Sequence, residues 1–192
     1  MLEGLLFVVS GPSGVGKGTV IEALMQEYDD INYSISATTR SPRADEVDGI
    51  DYFFLSEDKF IEMQKNGEFI ECAKVHNNYY GTPRSSVIDC LEKGKDIILE
   101  IDIQGARQVK REFEECILIF LLPPSLEELE KRLNKRGTES EKSRKIRLEN
   151  ARRELKETVE YDYEVVNDEV KSTVNKLKEI IIKEKSAKKG AD

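Results

Sequence analysis

The sequence has few of the residues from which metal centres and disulfide frameworks are built. Its 192 residues include one histidine, His76, and three cysteines, Cys72, Cys90 and Cys116. His76 has no histidine partner at the spacing of a zinc-binding helix. It is either an acid–base group or, as we favour, a surface loop residue. The cysteines are odd in number and far apart, which indicates reduced thiols rather than metal ligands or disulfides. We therefore expect a cytoplasmic protein.

The chain also lacks long apolar runs and an excess of positive charge. Its longest apolar run, residues 116–122, ends at two prolines, whereas a bilayer span needs ~20 apolar residues. No basic flank precedes the first glycine, Gly4, so we expect no signal peptide. With 30 basic and 38 acidic residues, the net charge of −8 repels nucleic-acid phosphates. Neither a membrane nor a nucleic acid is an expected partner.

The pattern that is present is an alternation of strands and helices. Residues 5–9 are apolar without alternation, which is typical of a strand buried on both faces of a parallel sheet. Further strands are predicted over residues 32–36, 96–102, 116–122 and 163–166, with helices between them, and shorter strands near 51–54 and 69–75 indicate a small β-rich insert. The sequence therefore predicts a single α/β domain with three layers and a mostly parallel central sheet.

Two local patterns predict where helices begin. Thr82 and Pro83 have the order of a helix cap followed by proline at the first helical position. Ser125 begins a capping box.

At the end of the strand over residues 96–102, Glu100 and Asp102 share one face, where open α/β sheets bind ligands.

A glycine-rich loop follows the first strand and has the spacing of a P-loop, Gly11-x-x-x-x-Gly16-Lys17. Glycines let backbone N–H groups turn inward towards an anion, and the next helix adds its positive dipole end. Such a loop indicates a nucleoside triphosphate but leaves the reaction open. The predicted phosphate-binding residues are Gly11, Pro12, Ser13, Gly14, Val15, Gly16, Lys17, Gly18 and Thr19.

Gly18 departs from the usual form of this motif, in which a serine or threonine follows the lysine. Thr19 carries a hydroxyl one position later. Because Gly18 offers no side-chain ligand, we expect Mg²⁺ to be held mainly by nucleotide phosphates and water, several of which Mg²⁺ readily keeps.

A second anion site is predicted around Arg40 and Arg43, whose guanidinium groups can fork onto phosphate oxygens. Nearby tyrosines bring hydroxyl donors, and Glu71 brings a carboxylate. Each residue taken alone is as consistent with a solvated surface or a core position as with a site. Beside a P-loop, the set together favours a site.

The segments GPSGVGKGT, SATTRSPR, DYFF, EFIECA, NYYGTP, EIDIQG, RGTES and VND occur in an order that resembles guanylate kinases, over residues 5–168. The resemblance implies one domain with a core of residues 1–32, 83–130 and 155–192. It also implies a GMP-binding region over 33–82 and a lid over 131–154.

The resemblance further implies a role for each residue of the monophosphate site. Arginines and tyrosines hold the GMP phosphate, Glu71 and Asp102 face guanine donors, and serine and threonine contact the other edge of the base. Two roles stay open for Glu100, which either orders water on Mg²⁺ or supports the site. The implied GMP-binding residues are Ser36, Arg40, Arg43, Tyr52, Glu71, Tyr80, Thr82, Glu100, Asp102 and Arg147.

The segment from residue 131 to residue 153 holds ten basic and three acidic residues in an otherwise acidic chain. It is open to three interpretations, a nucleic-acid patch, a solvated helix face or a lid. By resemblance, Arg132, Arg136 and Arg147 close on the phosphates, and Arg144 is a weaker candidate. Asn167 matches the position that contacts the adenine of ATP.

The resemblance implies transfer of the γ-phosphoryl group of Mg·ATP to GMP, and to dGMP, by direct in-line displacement. The catalytic residues implied are Lys17, Arg43, Arg136 and Arg147. Two alternatives remain, a non-catalytic module that binds phosphopeptides in the GMP site and a kinase for another nucleoside monophosphate. The sequence predicts no oligomeric state.

Overall fold

The computed structural model describes residues 3–75, 77–135, 141–155 and 161–190, with side chains for all of these except 135 and 141–147. Strands and helices alternate along most of the chain, which confirms the α/β class. The strands are β1 (Leu6–Ser10), β2 (Asn32–Tyr33), β3 (Ala37–Thr38), β4 (Phe53–Phe54), β5 (Phe69–Val75), β6 (Asn78–Pro83), β7 (Ile97–Glu100), β8 (Ile117–Leu122) and β9 (Tyr163–Val166).

The helices mostly follow the strands in sequence. They are α1 (Lys17–Glu27), α2 (Glu57–Lys65), α3 (Arg84–Glu92), α4 (Ile103–Glu112), α5 (Leu126–Lys135), α6 (Glu141–Glu154) and α7 (Val170–Lys189). The chain forms two compact units, Met1–Val8 with Ile31–Cys116 and Val9–Asp30 with Ile117–Asp192. The division falls within β1, and the central sheet has the strand order β2-β7-β1-β8-β9.

The first unit contains part of the central sheet and a second, smaller sheet. Strands β2 and β7 are parallel, with Asn32 opposite Ile97. The smaller sheet has the order β4-β3-β6-β5, and its β5–β6 pair is antiparallel. Ala37 and Phe69 of this sheet form a buried hydrophobic cluster with Phe60 of α2. This sheet confirms the predicted β-rich insert.

The second unit contains strands β8 and β9 and the long terminal helix. Strands β8 and β9 are parallel, with Leu121 opposite Val165. Helix α5 begins as predicted, because the Ser125 hydroxyl accepts the Glu128 N–H at 3.1 Å. Helix α7 runs through the lysine-rich segment to Lys189, and its Lys178 pairs with Glu27 of α1 at 2.6 Å.

The predicted start of a helix at Thr82 and Pro83 is wrong. Both residues lie in β6, where Thr82 pairs with Glu71 and Pro83 with Phe69, and α3 begins one residue later at Arg84. The ladder with β5 outweighs the local capping preference, because it satisfies the Thr82 side chain as well as the backbone.

Two predicted strands are too long. The predicted strand over 32–36 is only β2, and the chain then enters the smaller sheet at Ala37. The strand predicted over 96–102 ends at Glu100, and Asp102 instead caps α4. Glu100 and Asp102 therefore do not share a strand face, and each is positioned by a different element.

No helix in the part of the chain that the structure describes is both long and apolar enough to cross a bilayer. The three cysteines form no disulfide.

Candidate functional site

The glycine loop lies in the second unit, between β1 and α1. Gly14 and Gly16 have φ of 85° and 100°, in the left-handed region that favours glycine. Gly16 directly precedes α1 and has no side chain to cover the helix N-terminus. The loop therefore delivers backbone N–H groups and a positive helix end to one place, which is the arrangement that binds phosphate.

Lys17 is the first residue of α1, and its ammonium lies over this loop. Its Nζ donates to the carbonyl oxygen of Gly11 at 2.7 Å and approaches that of Pro12 at 3.4 Å. Because the first turn of α1 contains no acidic residue, nothing in that turn offsets the positive helix end. The Lys17 ammonium therefore lies at the glycine loop, as the P-loop motif predicts.

Asn167 and Arg132 are held against the middle of the loop. Asn167 is 3% exposed, and its amide donates to the Val15 carbonyl at 2.8 Å and accepts from the Thr173 hydroxyl at 3.0 Å. Arg132 donates to the carbonyl oxygens of Val15 and Asn167 at 3.2 and 3.0 Å. Both predicted residues therefore donate to the backbone of the loop, at the carbonyl of Val15.

Glu154 is a loop contact that sequence reasoning missed. Its carboxylate, at the end of α6, accepts the Ser13 N–H at 3.3 Å. The two residues are 141 positions apart, and no sequence pattern links them.

In the first unit, the buried group at the centre of the site is Glu71. Its side chain, 4% exposed, accepts the hydroxyl of Thr82 at 2.7 Å across the β5–β6 ladder. Burial raises the pKa of Glu71 to about 7, and the nearby Asp102 charge adds to the rise, while the Thr82 hydrogen bond opposes it. In its ionised form, the Glu71 carboxylate can accept hydrogen bonds from donors of a ligand.

Asp102 is held beside Glu71 by the start of α4. Its Oδ1 accepts the Gly105 N–H at 2.8 Å, which fixes the carboxylate at the helix N-terminus. Gly105 itself approaches Glu71 so closely that a Cβ would lie 2.4 Å from Glu71 Oε2. The structure thus groups both predicted base-recognition carboxylates and adds Gly105, which the sequence did not single out.

Arg40 is fixed on several sides in the loop after β3. Its guanidinium lies over the rings of Tyr52 and Phe54, 5.5 and 5.8 Å from the centroids. Hydrogen bonds to Glu46 raise the pKa of Arg40, and a further bond to Tyr80 adds to the rise. The rings of Tyr52 and Tyr80 are in turn 6.1 Å apart. Three side chains predicted to bind the GMP phosphate, those of Arg40, Tyr52 and Tyr80, therefore lie close together.

Glu46 joins Arg40 and Arg43. Its carboxylate accepts two bonds from the Arg40 guanidinium at 2.9 and 2.8 Å and one from Arg43 Nη1 at 3.2 Å. Glu46 was not predicted from the sequence, although a carboxylate three and six residues from two arginines was a usable signal.

Two further predicted residues, Ser36 and Glu100, lie in the same unit. Ser36 is buried, and its carbonyl oxygen accepts the Phe53 N–H at 2.9 Å. Glu100 is half-buried at the end of β7, and its charge adds to the effect of burial in raising the pKa of Tyr52 to about 12. Glu100 and Tyr52 therefore lie near each other, and Tyr52 keeps its phenolic proton at neutral pH.

The sequence model of the guanylate kinase family matches residues 4–184. The chain belongs to the guanylate kinase family. A curated relative named guanylate kinase from Caldanaerobacter subterraneus is 54% identical over 95% of this chain and 89% of its own length. The one from Clostridioides difficile is 50% identical over 96% and 90%.

A solved structure gives the same result. The crystal structure of guanylate kinase from Anaplasma phagocytophilum matches this chain with a TM-score of 0.79 and 35% sequence identity. The match covers 94% of this chain and 86% of the other. Membership of the guanylate kinase family confirms the resemblance drawn from the segment order.

The roles predicted for the site residues stay predictions, and for three predicted arginines the structure describes no side chain. Arg136 lies outside the described residues. Arg147 and the weaker candidate Arg144 lie within α6, at positions whose side chains are outside the described residues.

Proposed function

We propose that the protein is an ATP:GMP phosphotransferase, which transfers the γ-phosphoryl group of ATP to GMP and forms ADP and GDP. The observation that carries this proposal is the buried Glu71, held by Thr82 beside Asp102, in a guanylate kinase family chain with a glycine loop before α1.

Guanine recognition is assigned to Glu71. Guanine presents two adjacent donors, N1–H and the amino group, and a carboxylate presents two acceptor oxygens. Adenine lacks the N1–H, so it would leave a buried carboxylate oxygen unpaired. An unpaired polar group in a site of this kind separates substrates by about four orders of magnitude. Asp102, Ser36 and Thr82 are proposed to complete the contacts with the base.

The GMP phosphate is assigned to Arg40 and Arg43, with Tyr52 and Tyr80. Arginine forks match phosphate oxygens in geometry as well as charge. Tyr52 supports this role because its raised pKa keeps its O–H available as a donor. The same residues would serve dGMP, because the base and the phosphate are unchanged.

The phosphates of ATP are assigned to the loop from Gly11 to Thr19, with Lys17 at the outer phosphates. Asn167 and Arg132 are proposed to act at the adenine and the triphosphate, and Arg136 and Arg147 at the transferred group. Phosphoryl transfer requires positioning and charge neutralisation more than covalent chemistry by the protein. The GMP phosphate is already an anionic nucleophile, so the proposed in-line transfer uses no strong general base.

The residues present fit a magnesium ion that enters with the nucleotide. Gly18 brings no side chain to the first turn of α1, and the residues that the structure describes contain no group of three His, Cys, Asp or Glu side chains around one point. Nucleotide phosphates and water would hold most of its coordination positions, and Thr19, exposed in that turn, would contact it through water. When bound, Mg²⁺ neutralises phosphate charge.

A non-catalytic phosphopeptide-binding module is the alternative from another class. An assay of ADP release with Mg·ATP, with and without GMP, separates the two. We expect turnover that depends on GMP, and its absence in active, folded protein would contradict the proposal. The lid over 131–154, the core and GMP-binding divisions and a cytoplasmic location stay predictions.

A further inference from the structure

We propose that Glu46 is a positioning residue, which holds Arg40 and Arg43 in the geometry that receives the phosphate of the monophosphate substrate. This inference rests on the proposed function, because that function places the phosphate at these two arginines. It adds a residue that the site described above does not include.

The first support is the saturation of the Glu46 carboxylate. One oxygen accepts Arg40 Nη1 at 2.9 Å and the backbone N–H of Arg43 at 2.8 Å. The other accepts Arg40 Nη2 at 2.8 Å and Arg43 Nη1 at 3.2 Å. Four donors from two residues fix the carboxylate, and through it both guanidinium groups.

The second support is the difference in exposure among the three side chains. The Glu46 and Arg40 side chains are 11% and 19% exposed, whereas that of Arg43 is 63% exposed. A buried, two-bond pair between arginine and carboxylate is stronger and more directional than a surface pair. Glu46 therefore lies beneath the arginines as a support, and Arg43 keeps an accessible face.

The third support is that Glu46 is anchored to the backbone of the same loop. It accepts the Arg43 N–H, and its own N–H donates to the Arg43 carbonyl at 3.2 Å. A carboxylate that merely stood in for an absent phosphate would be displaced on binding. This one closes the turn that carries Arg43, so it stays in place when the phosphate arrives.

Positioning and simple charge make opposite predictions for Glu46→Gln. The substitution removes a negative charge beside two positive ones, so charge alone predicts tighter binding of a phosphate. Loss of the two-bond fork, by contrast, frees Arg40 to move, and displacements of about 1 Å in such sites can change rates by up to 10²-fold. The sign of the change therefore separates the two accounts.

The experiment measures steady-state kinetics of the full chain with GMP and Mg·ATP, and competitive inhibition by guanosine, which lacks the phosphate. For Glu46→Gln we expect the KM for GMP to rise by about tenfold or more. The KM for ATP and the guanosine inhibition constant should stay within about twofold, because neither ligand uses the arginine pair. A general loss of structure would move all three quantities.

Glu112→Gln is the matched control. Glu112 also receives two bonds from one arginine, Arg84, in the same unit, but neither residue belongs to the proposed site. The charge change is identical, and the KM for GMP should not change. If Glu46→Gln does not fold, Glu46→Asp keeps the charge but shortens the reach, and a smaller rise in the same KM is expected.

A KM for GMP that falls or is unchanged in both Glu46 variants overturns the inference. Arg40→Ala distinguishes this failure from failure of the proposed function. If Arg40→Ala raises the KM for GMP and the Glu46 variants do not, only the role of Glu46 is wrong. If Arg40→Ala also leaves it unchanged, the phosphate site is misassigned and the inference is overturned with it.

Discussion

The hydroxyl of Thr82 donates to Oε1 of Glu71 at 2.7 Å, and both side chains are buried. The bond crosses the antiparallel pair β5–β6, so the sheet register itself sets where the carboxylate lies. Thr82 uses part of the acceptor capacity of the carboxylate, through its hydroxyl and its backbone, and the rest is available for the donors of the proposed guanine edge.

The first prediction concerns the pH dependence of GMP binding. Because the pKa of Glu71 is raised to about 7, a substantial fraction of the carboxyl is protonated at neutral pH and can then accept fewer hydrogen bonds. The KM for GMP should fall as pH rises from about 6 to 8, by at most about tenfold per pH unit below the pKa.

The control for this profile is Glu71→Gln. The GMP phosphate titrates near pH 6, so part of any pH effect belongs to the substrate. The variant keeps that part and loses the contribution of Glu71, so its profile should be flatter. Identical profiles for both proteins would assign the pH dependence to another group.

The second prediction concerns the stability of the ligand-free protein. The folded pKa of Glu71 lies above its usual 4.5, so the folded state favours the protonated form. This contribution is fully present below pH 4.5 and is lost as pH rises through about 7. Glu71→Gln should therefore be the more stable protein at pH 8, by up to about 3 kcal/mol at 1.36 kcal/mol per pKa unit.

Denaturant unfolding of both proteins at pH 5 and pH 8 checks this prediction. The advantage of Glu71→Gln should shrink towards pH 5, while its GMP binding is weakened by about 10–100-fold at pH 8, because an amide donor faces a guanine donor. An equal loss of ATP binding would place Glu71 in a different role.

The third prediction concerns Gly105. A Cβ at this position would lie 2.4 Å from Glu71 Oε2 and 3.0 Å from Glu71 Cδ, so the carboxylate must move. Gly105→Ala should raise the KM for GMP by about tenfold or more, with little effect on the KM for ATP. Gly190→Ala is the control, because its Cβ would contact nothing closer than 3.6 Å. Unchanged GMP kinetics in Gly105→Ala would show that the carboxylate position is unimportant.

The fourth prediction concerns Lys17. Its ammonium already lies against the Gly11 carbonyl at 2.7 Å, so little reorganisation is needed to meet phosphates on the loop. Lys17→Ala should reduce kcat by about 10²–10³-fold, as expected for loss of a charge that stabilises the transition state, and should change the KM for GMP much less. A kcat near that of the unsubstituted protein would show that the loop does not hold the reacting phosphates.

The glycine loop, the order of strands and helices and the β-rich insert were predictable from sequence. Each leaves a local signal, either a fixed spacing of glycines or a run of apolar residues with one periodicity. Strand ends were less predictable. The sequence cannot show that Thr82 finds a better partner in Glu71, across a ladder, than in the start of its own helix.

The supporting contacts of the site were the least predictable part. Glu46, Gly105 and Glu154 act through proximity that the fold creates. Gly105 lies within α4, where no turn requires a glycine. The reason for a glycine there is the close approach of the Glu71 carboxylate, which only the structure shows. Glu46 alone had a nearby signal in the two arginines, and its burial beneath them is what distinguishes it from a surface acid.

The most direct test of the central claim is kcat/KM with Mg·ATP for GMP compared with AMP, UMP and dTMP in the same preparation. A buried carboxylate that reads the guanine edge predicts that GMP is preferred over AMP by at least about 10³-fold. Comparable values for GMP and any of the other three monophosphates would contradict the account.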